Sequence, residues 1–382
     1  MIGDTMAPKR YSYVLILIAI CLIAAVLAAG CTSQTSSNQT AFARGTVYES
    51  PMNVRDMSNQ LTTGKIDAFV SWEPISSQAQ LNGTGVVLAY SDAIWPQHLG
   101  DVIAISNSSM QKLDRNVLLD LVWAHVKGTN FINDPNNHDT VVQYIANESG
   151  VSLQAANESL MHVNYADDLN PNSIKAYYNE FKSASYLNKS VTDLGYTNES
   201  QFFDSFIVSD YVKEVKDNLA GDPNWKPPVA NTSINVGFLT ADSTRLASIV
   251  AQKQGYYNAS GLTVNFKEYP NGVAMMNDFK TGALDAGYVG APPAILARVN
   301  DDVKINIIAE VNHNGSAIVV KPGAGIHAIA DLRGKTVGIP AVGTVQDFVL
   351  RKAAQQNNLT VAVKQNHLTE HEPLERSQPK PL

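Results

Sequence analysis

The sequence predicts an α/β fold of two similar lobes with mainly parallel sheets, and three observations carry that prediction. Short apolar runs alternate with helical patterns beyond residue 233. One strand-and-helix unit occurs twice. The only cysteines are Cys21 and Cys31, both near the start, so the rest of the chain has no disulfides and must bury a substantial core.

The alternation is plainest in the second half. Residues 234–238 predict a strand and 243–254 a helix; further strands are expected at 263–266, 286–289 and 305–308, with helices at 273–280 and 293–298. Strands at this spacing, with helices between them, form a mainly parallel sheet covered on both faces. From 113 to 214 the pattern is helical, with Leu118, Leu119, Leu121 and Val122 on one apolar stripe.

The repeat is an amphipathic helix, a glycine and an Asp-Ala step into a buried strand. Its copies are Met57–Ala68, followed by Phe69-Val70, and Met275–Ala286, followed by Gly287-Tyr288-Val289. Glycine suits the left-handed residue that stops a helix. Two copies imply two related lobes.

The N-terminus addresses the chain to the outside. Lys9 and Arg10 precede an apolar run over 13–29, which ends in Ala28-Ala29-Gly30-Cys31. This is the layout of an export signal. Its end resembles the lipobox of secreted lipoproteins, in which Cys31 takes the lipid, although Ala28 stands where a larger aliphatic is usual. An uncleaved anchor is the alternative, since about 20 apolar residues span a bilayer. Eleven Asn-x-Ser/Thr sequons, from Asn38 to Asn358, suggest a glycosylated exterior. The formal net charge of −7 and pI near 5.6 exclude a nucleic-acid partner that needs a basic face.

Other motifs fall away. Gly323-Ala324-Gly325 lacks the acid and context of a dinucleotide site, and Gly334-Lys335-Thr336 has Ile329 where a P-loop needs glycine. The histidines show no metal-ligand spacing, so neither cofactor nor metal is expected. His98, near Trp95, is the best outside candidate for a cleft.

Four segments together resemble the nitrate, sulfonate and thiamine-precursor group of ABC solute-binding proteins. They are Gly64-Lys65-Ile66-Asp67-Ala68-Phe69-Val70-Ser71-Trp72-Glu73-Pro74, Val236-Gly237-Phe238-Leu239-Thr240, Asp285-Ala286-Gly287-Tyr288-Val289-Gly290-Ala291-Pro292-Pro293 and Asp331-Leu332-Arg333-Gly334-Lys335-Thr336-Val337-Gly338-Ile339-Pro340. The resemblance implies a two-lobed periplasmic-binding-protein-like fold with a hinge, closing on a small ligand and docking on a permease with its ATPase. In the family the stretch like 234–365 comes first; here the order is reversed. That implies a circular permutation, and a fusion of two incomplete copies would read the same. The expected organisation is a signal at 1–31, a polar tether at 32–44 and a Pro-rich linker at 221–232. Lobe II is expected from 45–105 plus 319–365, lobe I from 106–220 plus 233–318, and a disordered tail from 366–382. The strand at 361–363 is expected beside the one at 68–70.

Ligands in open α/β sheets sit at the carboxyl ends of strands. The expected contacts are therefore Trp72 and Glu73; Thr240, Asp242 and Ser243; Gly290, Ala291 and Pro292; and Gly343 and Thr344. The last pair opens a helix whose free amides suit an oxyanion. Two alternatives stay open: Asp242 or Ser243 as a helix cap, and Trp72 as core with Glu73 capping the next helix. The function expected is capture of a small polar organic molecule or oxyanion for ABC uptake, at the outer membrane face and without chemistry. A sensory or non-transporting module is the alternative. An enzyme like the family's pyrimidine synthases is disfavoured, because their iron site is rich in cysteine.

Overall fold

The computed structural model describes residues 45–229 and 231–364. The chain divides into two units, Met1–Thr46 and Val47–Leu382. Cys31, the signal, the tether and the tail from 366 lie outside the described residues.

In chain order the strands are β1 (Thr46–Pro51), β2 (Ala68–Trp72), β3 (Val86–Tyr90), β4 (Asp101–Ser106), β5 (Val163–Tyr165), β6 (Thr232–Leu239), β7 (Leu262–Tyr269), β8 (Ala286–Gly290), β9 (Ile305–Glu310), β10 (Asn312–Asn314), β11 (Ser316–Val320), β12 (Thr336–Ile339) and β13 (Thr360–Val363). They build two large sheets, ordered β13-β1-β12-β2-β11-β3 and β7-β6-β8-β4-β9, plus a β5–β10 pair. β1, β12 and β2 run parallel, as do β7, β6 and β8. In each sheet one strand opposes its neighbours, β11 in lobe II and β4 in lobe I. These are the strands that follow each passage of the chain between lobes. The α/β class with two lobes and mainly parallel sheets is therefore present.

The repeated unit explains itself in structure. Asn53 caps the helix Val54–Thr62 and Asn271 caps Gly272–Thr281. Gly64 (φ 75°) and Gly282 (φ 77°) follow in the left-handed conformation. Then Asp67 clasps the start of β12: its carboxylate accepts from Thr336 N–H at 2.8 Å, and its own N–H donates to Thr336 O at 2.9 Å. Asp285 does the same to Asn235 midway along β6, at 2.8 and 3.0 Å. The aspartate thus fixes the register of the neighbouring strand in both lobes.

Each lobe is assembled from two separated chain segments. β1 pairs with β12 from Tyr48↔Thr336 to Pro51↔Ile339, and β12 pairs with β2 at Val337↔Ala68 and Gly338↔Phe69. In lobe I the helix Arg115–Asn133 packs on Leu246–Lys253. The linker is tied to that lobe, since Trp123 Nε1 donates to Trp225 O at 2.9 Å and Pro227 is buried.

The boundaries differ from the sequence reading in three places. Residues 101–105, assigned to lobe II, form β4 in the lobe I sheet, and Ser316–Ile318, assigned to lobe I, belong to β11 in lobe II. The chain changes lobe earlier at both passages because the crossing segments pair with each other. Leu99 bridges His313, and Gly100 N–H donates to Asn312 O at 2.8 Å. β13 lies at the sheet edge beside β1 rather than beside β2. β2 is buried along all five residues and needs covered neighbours, whereas β13 is exposed at both ends and suits an edge.

Candidate functional site

The lobes meet around a small buried cavity beside the two crossing segments. Trp72, Ser316, Thr344, Val345 and Gln346 line it from lobe II. Asp101, Leu239, Asp242, Thr244, Gly272, Gly290 and Pro293 line it from lobe I, with Gly100, Asn312 and Asn314 at the crossing. Its volume is about 20 Å³, room for about one water, so the lobes are closed.

Local structure delivers each wall. Gly290 ends β8 just before the helix Ala291–Asn300, and Thr344 caps Val345–Gln356. Gly315 (φ 87°) turns the chain between β10 and β11, which aims Asn314 and Ser316 inward. Gln346 Nε2 donates to Ser316 Oγ at 3.0 Å. Asn312 Oδ1 accepts from Asp101 N–H at 2.8 Å, and its Nδ2 donates to Asn314 O at 3.2 Å. Polar side chains thus hold one another in place around the cavity.

Of the predicted residues, the structure brings Trp72, Asp242, Gly290 and Thr344 to this cavity. The others have different places. Trp72 Nε1 donates to Thr240 O at 3.2 Å, so Thr240 is an inter-lobe tie whose hydroxyl is occupied by Tyr269 O at 3.1 Å. Ser243 N–H donates to Glu73 O at 3.1 Å, a second tie. Ala291 and Pro292 are buried in the first turn of their helix. Gly343 lines a separate hollow with Val273 and Leu296, and its N–H already donates to Asp347 Oδ2 at 2.7 Å. The helix start proposed for an oxyanion is therefore filled by the helix's own carboxylate. His98 is buried beside Tyr177, and burial lowers its pKa to about 4, keeping it neutral.

Glu73 takes the capping role. It is fully buried, Oε2 accepts from Ser77 N–H at 3.1 Å, and Oε1 has no partner. Burial, more than any neighbour, raises its carboxyl to about 7. A raised carboxyl stabilises the fold fully below its ordinary pKa of 4.5 and loses that stabilisation as pH climbs through about 7. Glu73→Gln should remove about 2 kcal/mol of the stability that the parent loses between pH 5 and 8. Urea titrations across that range check it: the gap between variant and parent should widen with pH, and a constant gap contradicts the assignment.

Asp101, Thr244, Asn312, Asn314, Ser316 and Gln346 went unnoticed in the sequence. Asp101 had a readable signal, a carboxylate opening the apolar run Val102–Ile105. Asn314 is one of the eleven sequon asparagines, yet its side chain is buried in the cleft. Glu73 and Gly343, though predicted as contacts, are second to these.

Comparison with known proteins fits this architecture. Residues 244–368 match the model of the NMT1/THI5-like family, and residues 47–146 match that of the NMT1-like family. The resemblance drawn from the sequence is borne out in both regions. A protein of Brucella abortus (strain 2308) named as a candidate binding protein is 29% identical over 123 residues, 32% of this chain. A namesake from Brucella suis biovar 1 matches equally. The chain spans 37% of the length of these curated relatives. Among solved structures, the phosphate-binding protein of a phosphate ABC transporter from Streptococcus pneumoniae TIGR4 has a TM-score of 0.30 at 11% identity, covering 74% of this chain and 79% of its own. The oligopeptide-binding protein AppA of Bacillus subtilis also has a TM-score of 0.30 at 11% identity, covering 74% and 58%.

Proposed function

We propose that the chain is an extracytoplasmic solute-binding protein, anchored to the outer membrane face, which captures a small polar solute and hands it to an ABC permease. The observation that carries this reading is the cavity itself, buried between two lobes that are joined only by two adjacent crossing segments and lined by polar side chains. Such a hinge lets one lobe swing on the other, admitting a solute and enclosing it. The reading needs no chemistry of the solute, and the order of the segments corresponds to a circular permutation of the family's arrangement.

Native mass spectrometry of the full chain, incubated with mixed small polar solutes, tests capture. Retention of one solute at a 1:1 ratio supports it; retention of none contradicts it. Attachment is a separate expectation. Cys31→Ser should abolish metabolic labelling by a fatty-acid analogue and leave an uncleaved, slower-migrating precursor. Unchanged labelling and cleavage would leave the transmembrane anchor as the mode of attachment. A sensory role for the same cleft would show as ligand binding that persists with no effect on uptake when the gene is deleted.

A further inference from the structure

The cavity has acceptors to spare and no cation in its lining. Asp101 and Asp242 are 5% and 3% exposed, both line the cavity, and Asp242 Oδ2 has no partner. Lysine, arginine and histidine are absent from the lining. Arg245, the nearest candidate, points its guanidinium over the Phe238 ring at 3.9 Å and donates to Ser248 Oγ at 3.2 Å instead. Three helices start at the cavity: Asn271 caps the one from Gly272, the one from Ala291 opens with Pro292 and Pro293 and gives its first N–H to Gly100 O, and Thr344 and Asp347 occupy the one from Val345. No lining side chain carries the positive charge that would hold an anion.

Thr244 adds a proton argument. Its hydroxyl lies 2.9 Å from Asp101 Oδ2 and 2.6 Å from Asp242 Oδ1. A hydroxyl carries one hydrogen, so it donates to one carboxyl and accepts from the other, which must then be protonated. In this closed geometry the pair shares a proton where a positive charge belongs.

We infer that the cleft selects a small organic cation with N–H donors, a protonated amine or amidine, whose charged end sits against Asp101 and Asp242 beside Trp72. This rests on the capture reading above and names its substrate class. The cavity admits the charged head alone, so a solute with a larger body holds the lobes further apart. Binding displaces the shared proton to solvent. Affinity therefore rises with pH, by up to about tenfold per unit while the pair is protonated. Burial raises both carboxyls, Asp101 strongly and with the Asp242 charge adding to it; the other charged or titratable groups facing them are Arg245, Tyr165 and Tyr177.

Thermal unfolding of the full chain is measured with millimolar methylammonium, guanidinium or putrescine, and with nitrate, sulfate, methanesulfonate or calcium as chloride or sodium salts. The expected result is a rise in Tm of at least about 3 °C with one or more of the amines or guanidinium and none with the anions or calcium. Asp242→Asn, which keeps shape and removes charge, should fold without loss of Tm in the absence of solute and lose at least about tenfold in affinity for the cation. An anion that stabilises while the cations do not overturns the cationic class and leaves capture standing. Calcium alone stabilising overturns the amine assignment, and an undiminished cation response in folded Asp242→Asn overturns the role of the pair. No response to any probe overturns this proposal, while a solute retained in native mass spectrometry would still uphold capture.

Discussion

Arg351→Met is expected to cost about 3–5 kcal/mol of stability at pH 7, because it leaves the buried Asp347 carboxylate without its cation and the buried Glu49 carboxyl without its hydrogen-bond donor. Arg351 lies in the helix Val345–Gln356 and pairs with Asp347 one turn earlier and with Glu49 on β1. Both carboxylates are fully buried and the guanidinium is 19% exposed. Arg351 also donates to Val361 O of β13 at 3.4 Å. Its removal therefore loosens the join between the two chain segments of lobe II, which lie about 300 residues apart. Even with the arginine present, burial and the Asp347 charge raise the Glu49 carboxyl to about 8. Methionine keeps most of the volume and removes the charge with its hydrogen bonds, so the loss reads the polar network rather than packing. Urea unfolding at pH 7 measures it, and the Glu49→Gln/Arg351→Met double variant should recover part of the loss. A loss below about 1 kcal/mol would place the pair in the class of surface ion pairs.

Gly128→Val is expected to cost about 3 kcal/mol or more in lobe I. A Cβ at Gly128 would lie 2.2 Å from Ala247 O and 2.9 Å from Ala247 C. The obstacle is backbone inside a helix and cannot swing aside, so the helices Arg115–Asn133 and Leu246–Lys253 must part. Overpacking of this kind costs about 1–3 kcal/mol and occasionally more. The gain of up to about 1 kcal/mol that glycine replacement offers a helix does not offset it. Gly221→Ala is the internal control, since a Cβ there meets nothing within 4 Å. That variant should be neutral or slightly stabilising by thermal unfolding. Equal behaviour of the two variants would mean that the close helix crossing is not what joins the halves of lobe I.

Much of this fold was legible because its signals are local. The amphipathic helix, the left-handed glycine and the Asp-Ala step are short-range features, so the repeat in residues 57–68 and 275–286 announced two lobes. The same positions now explain why: Asp67 and Asp285 do one job twice. The β13 placement was not legible, because a four-residue apolar run does not say which neighbour it takes. The site was half legible. Trp72, Asp242, Gly290 and Thr344 follow strands whose ends the fold class brings together, whereas Asp101, Asn312 and Asn314 belong to the crossing segments. Their role depends on where the chain changes lobe, and pairing across more than 200 residues decides that. Glu73 and Gly343 misled because both look like ligand contacts until their partners are seen. Ser77 takes one Glu73 oxygen and Asp347 takes the Gly343 N–H, each within its own lobe.

The proposed function requires a hinged pair of lobes that closes on a solute. Spin labels on Val86 in lobe II and Met161 in lobe I, 49% and 65% exposed respectively, allow the separation to be read by double electron–electron resonance on the full chain. A broad, longer distance distribution is expected without solute, collapsing to one short, narrow distance when the retained solute is added. A distribution that stays the same with and without a bound solute would contradict it.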